Sequence, residues 1–164
     1  MATPTATSGQ RGAGQRERRP WPVRILIGLL VFQGVGAVGG GAVMVADPSG
    51  LAMGWDIGLL EDAPFASFLW PGVILGVGLG VSSLVIAFGV LRCPHSRLLA
   101  FVERWTGHHW SWAGCIGLGI GLMTWIVVQL NVMEFRSFLQ PLMFAVGAAL
   151  LGVPLLAAVR RYLV

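Results

Sequence analysis

The chain has 164 residues, of which 55% are hydrophobic and only 11% charged. A soluble domain carries roughly a quarter charged residues, and a globule this small exposes much of its surface, so the composition excludes an ordinary water-soluble fold. A net charge of +4 would suit nucleic acid, but the eleven basic residues, all arginine, flank apolar runs or sit in the N-terminal tail. That is orientation charge, and no nucleic-acid partner is expected.

Residues 1–20 are rich in Thr, Ser, Gly, Gln and Arg and lack apolar periodicity, which predicts a disordered basic tail. From residue 21 to 164 the pattern predicts one four-helix transmembrane domain, with apolar runs at about 23–46, 68–91, 110–130 and 141–159. As helices these runs extend ~28–36 Å, matching a hydrocarbon core of ~30 Å. Single runs cross lipid only as helices, because every backbone polar group then finds a partner within its own segment. The expected class is an all-α membrane protein.

The first run is too long for the apolar region of a signal peptide, and Met44-Val45-Ala46 is a poor cleavage site, so retention is expected. Its Gly34-Val35-Gly36-Ala37-Val38-Gly39 spells a dinucleotide-binding pattern. No strand precedes it, so that reading is rejected. Gly36 and Gly40 instead stand four apart, as do Gly72, Gly76 and Gly80 in the second run and Gly117 and Gly121 in the third. Small residues at this spacing let helix backbones touch, within one chain or between chains. Gln33 and Thr124, polar groups at depth, are expected to hydrogen-bond between helices.

In the loop after the first run, Asp47-Pro48-Ser49-Gly50 reads as a β-turn. Leu51, Trp55, Leu59 and Leu60 then suggest a short helix lying on the membrane, with Asp56, Glu61 and Asp62 toward water. The middle loop carries a second amphipathic piece in Leu98, Leu99, Phe101, Val102 and Trp105. Around it lie Cys93, His95, His108, His109 and Cys115, soft ligands at one level of the bundle. Their spacing matches no zinc motif, and interfacial histidines with two small apolar cysteines explain them as well, so no metal and no cofactor is expected. No histidine falls inside a run to hold haem, and no C-x-x-C serves a thiol relay. Pro154 in the fourth run is either a kink or a tolerated membrane proline.

Ten arginines fall on one side of these runs and only Arg136 on the other, with Asp47, Asp56, Glu61, Asp62 and Glu134. The split predicts cytoplasmic termini. Phe65-Ala66-Ser67-Phe68-Leu69-Trp70-Pro71 also matches Phe135-Arg136-Ser137-Phe138-Leu139-Gln140-Pro141, which favours two hairpins related as a parallel repeat over chance recurrence at an interface.

The glycine-rich first run ending in Asp47-Pro48-Ser49-Gly50-Leu51, the Pro64-Phe65 before Trp70-Pro71-Gly72, and Leu139-Gln140-Pro141 resemble uncharacterised small four-span membrane proteins of actinobacterial type. The resemblance implies a bacterial plasma-membrane location and no particular activity. With no ionisable residue at depth, a proton-coupled pump is disfavoured. Three roles remain. The foremost is a non-enzymatic protein acting by helix–helix association, its partners the lipid bilayer and itself or another membrane protein. The second is a component for small-solute transport, and the third a membrane enzyme using the Cys/His group.

Overall fold

A computed structural model describes residues 19–61, 63–92, 100–133 and 138–163. The expected disordered tail up to residue 18 lies outside the described residues, as do Cys93, His95 and the first three residues of the second repeat copy, Phe135, Arg136 and Ser137. All regular structure among the described residues is helical.

Helix α1 spans Trp21–Ala46, with Pro22 in its first turn, where a missing N–H costs nothing. Helix α2 spans Leu69–Arg92, and its middle, Ile74–Val81, is wound as a π-helix. A short helix, α3, covers Ala100–Thr106. Helix α4 covers Trp110–Met133, and α5 runs over Leu139–Leu155, ending in a 3₁₀ turn. A final short helix, α6, is Ala157–Tyr162. Three of these, α1, α2 and α4, are long and apolar enough to cross a membrane, and α5 is a shorter apolar helix.

The sequence predicts a helix over 141–159 that Pro154 either kinks or leaves intact, but the chain breaks at Leu156, whose backbone is extended. The cause is Pro154, which has no N–H for the ladder and whose ring crowds the preceding turn. Its carbonyl, freed from the helix, accepts the indole N–H of Trp112 at 3.0 Å.

The outward faces are apolar, where a soluble bundle would be polar: Phe32, Val35, Val77, Val85, Phe88 and Ile120 are all exposed. The chain ends where α1 starts, α2 finishes and α4 starts form one end of the bundle. Arg19 donates to the Leu91 carbonyl at 2.9 Å, and the His109 N–H to the Leu163 carbonyl at 2.7 Å. All six described arginines, Arg19, Arg24, Arg92, Arg104, Arg160 and Arg161, gather there. Asp47, Asp56 and Glu61 lie in the loop at the opposite end.

That loop does form the expected turn, with the Gly50 N–H on the Asp47 carbonyl at 3.2 Å. It does not form one surface helix. Two 3₁₀ turns, Leu51–Met53 and Ile57–Leu60, flank Gly54, whose positive φ of 68° breaks the run. Leu51 is exposed, while Leu60 and Phe68 fold back over Met44 and Trp55 as a small second core.

Candidate functional site

The glycines decide how closely each pair of helices approaches. Where α1 meets α2, a Cβ on Gly41 would lie 2.6 Å from the Gly72 carbonyl oxygen and from the Gly76 Cα. On the α2 side, a Cβ on Gly72 would meet Met44 at 2.6 Å, and one on Gly80 would meet the Val38 backbone nitrogen at 2.8 Å. Gly76 is looser, with the Gly41 Cα at 3.5 Å. The stripe of Gly72, Gly76 and Gly80 therefore faces α1 inside the chain. Gly36 and Gly117 meet nothing within 4 Å, and Gly40 and Gly121 make ordinary contact with Leu75 and Leu79. The helix-facing positions on α1 and α4 are instead Gly34, Gly41 and Gly119, the last packed on Gly147 of α5. Four-residue spacing alone missed them, because it does not say how a helix is rotated about its axis.

Two hairpins result, α1 with α2 and α4 with α5. At the arginine-bearing end they meet through side chains: a Cβ on Gly89 would touch the Trp110 ring at 2.6 Å, and Val23, Val90, Cys115 and Val159 are fully buried. Toward the acidic-loop end they part, leaving two hollows with a common wall of Met44, Trp55, Trp125 and Gln129. One, of about 570 Å³, opens between α2, the loop and α4, past Phe68, Gly78 and Thr124. The other, of about 460 Å³, lies between α1, α4 and α5. Both fall in the usual size range of small-molecule sites, roughly 300–1,000 Å³.

The second hollow holds three amides, Gln33, Gln129 and Gln140, in walls otherwise apolar. Gln33 is 3% exposed, and its Oε1 has no hydrogen-bond partner. The interhelical bond expected of Gln33 Oε1 is thus not formed.

The loop roofing the hollows is tied down by Asp47. Its carboxylate accepts from the Ser49 hydroxyl, from the Ala52 N–H at 2.7 Å and from the Ser49 N–H at 3.1 Å. The Ser49 hydroxyl foremost, then the Ala52 N–H, hold its pKa below the ordinary 3.8.

The described members of the Cys/His group, His108, His109 and Cys115, do not converge on one point. Cys115 is fully buried in the core. His108 Nδ1 sits 2.7 Å from the Thr106 carbonyl, so it carries the proton and leaves Nε2 to accept from Arg160 at 3.5 Å, while the ring stacks on Trp112. His109 pairs with Ser111 at 2.8 Å and lies 3.8 Å from Glu103. Among the described residues no three His, Cys, Asp or Glu side chains group to hold a metal.

No family model matches the chain, and no curated protein or solved structure matches it.

Proposed function

We propose that the chain is a non-enzymatic, four-span protein of a bacterial plasma membrane, with both termini cytoplasmic, that holds a membrane-soluble small molecule between its two hairpins. The observation that carries the reading is the pair of hollows of about 570 and 460 Å³ at the end where the hairpins part. The glycine stripe of α2 is used inside the chain, so association with another protein would need a different face. That favours a binding role over association as the primary one. The gathering of the described arginines at one end supports the orientation.

Trp55 and Trp125 line both hollows, so a brominated alkane bound there quenches their fluorescence. Titrating the purified protein in detergent with 1-bromododecane should give saturable quenching. Gly121→Phe, which fills the larger hollow, should weaken it. Quenching that rises linearly, as for partition into the detergent alone, would overturn the binding role. Reporter fusions in residues 47–67 should read external and fusions after the C-terminus cytoplasmic.

A further inference from the structure

Helix α3, Ala100–Thr106, stands in the connection between the end of α2 at Arg92 and the start of α4 at Trp110, at the arginine-bearing end. Gly107, at a φ of 65°, closes it, with its N–H on the Glu103 carbonyl at 2.9 Å. Its two sides differ. Val102, Glu103 and Thr106 are half-buried, and the Glu103 carboxylate lies 3.8 Å from the His109 ring. Phe101, Arg104 and Trp105 share the opposite side and are exposed, Trp105 to 82%. The two aromatic rings, one helical turn apart, stand 5.9 Å from each other. In water such a face would leave two large rings uncovered beside a single charge.

Resting on the membrane reading above, we propose that the Phe101–Arg104–Trp105 face of α3 is a binding surface for anionic lipid at the cytoplasmic leaflet, the rings lying at head-group depth and the guanidinium on phosphate. A connection between two spans sits where both leave the hydrocarbon, the level that aromatic and arginine side chains favour. Trp21, which opens α1 at the same end, is exposed as well. Charge selects the kind of lipid. All six described arginines gather at this end, and all are exposed. The one acid there among the described residues, Glu103, is turned to the inner side of α3. A cationic rim with no exposed acid to offset it draws anionic head groups, and a guanidinium grips phosphate through paired N–H donors. Such a lipid answers both parts of the face, since its upper acyl chain covers the rings while its phosphate meets Arg104.

The test places the full chain in vesicles of phosphatidylcholine and phosphatidylglycerol, with bromine near the top of the acyl chains of one lipid or the other. The Trp105 signal is the emission of the parent minus that of Trp105→Phe, a change at an exposed position that keeps an aromatic ring. In dilute salt, brominated phosphatidylglycerol should quench this signal with about fivefold preference over brominated phosphatidylcholine at the same mole fraction. That is the ratio that ~1 kcal/mol from one arginine near the surface supplies. In Arg104→Gln the preference should fall to about one. A Trp105 signal that neither lipid quenches would mean that a second copy or another protein covers α3, and would overturn the proposal. Equal quenching by the two lipids in the parent, or a preference unchanged in Arg104→Gln, would overturn it too. If the protein does not float with the vesicles, the membrane reading itself fails.

Discussion

Backbone lies on backbone where α1 meets α2, because Gly41, Gly72 and Gly80 leave no side chain between them. Where the two hairpins meet, the contact is made by Trp110, Ile86 and other side chains at one end, and it gives way to open volume at the other. Lipid tails are as apolar as leucine, so helices gain little by merely burying apolar surface, and close backbone approach supplies the attraction. A seam without it is the one that opens. Tight seams inside the hairpins and a more open seam between them leave free volume between two closely packed pairs, which suits the proposed binding role.

Substitution inside the tight seam should have the largest effect. Gly41→Leu puts a branched side chain where the Gly72 carbonyl and Gly76 Cα already stand at 2.6 Å from a bare Cβ. Since a backbone cannot swing aside, the cost should reach the top of the usual overpacking range, about 3 kcal/mol or more. Thermal unfolding in detergent measures it, with Gly36→Ala as the control, because a Cβ on Gly36 meets nothing within 4 Å and alanine, a better helix former than glycine, should not lower stability. Equal melting of the two variants would remove the distinction between the seams.

An intermediate effect is expected at Trp112. Its indole N–H serves the carbonyl of Pro154 where α5 ends, across the tight seam of the second hairpin. Trp112→Phe should cost about 1 kcal/mol, one net hydrogen bond. A larger loss would mean that this seam depends on the indole more than on Gly119 and Gly147.

The smallest effect concerns the loop over the hollows. The folded Asp47 carboxylate takes up its proton at lower pH than the unfolded one, whose ordinary value is 3.8. Its contribution is therefore complete above that value and is lost as pH falls through the folded pKa. Acid should loosen the loop before the helices, seen as proteolytic nicking in residues 47–67 with helical circular dichroism intact. Asp47→Asn should remove the pH dependence. Helices and loop melting together would join the loop to the frame.

Much of this was readable in the residues because it is additive along the chain. The length and apolarity of α1, α2 and α4, the turn at Asp47-Pro48-Ser49-Gly50, and the gathering of arginine beside helix ends each depend on a residue and its near neighbours. The break after Pro154 was half visible. Proline dictates a disturbed ladder, but whether the helix bends or stops depends on what receives the freed carbonyl, and Trp112 is 42 residues away in sequence.

Tertiary structure alone decided which glycines matter and where the space lies. Glycine spacing marks a face in the frame of its own helix. The rotation that turns Gly41 onto α2 and leaves Gly36 beside the hollow is set by the partner, and the π-wound stretch Ile74–Val81 shifts the faces of α2 again. Gln33 shows the same limit. Its sequence position announces a buried amide that needs a partner, but hydrogen bonds act over about 3 Å, and only the splay of two hairpins determines that none comes within reach.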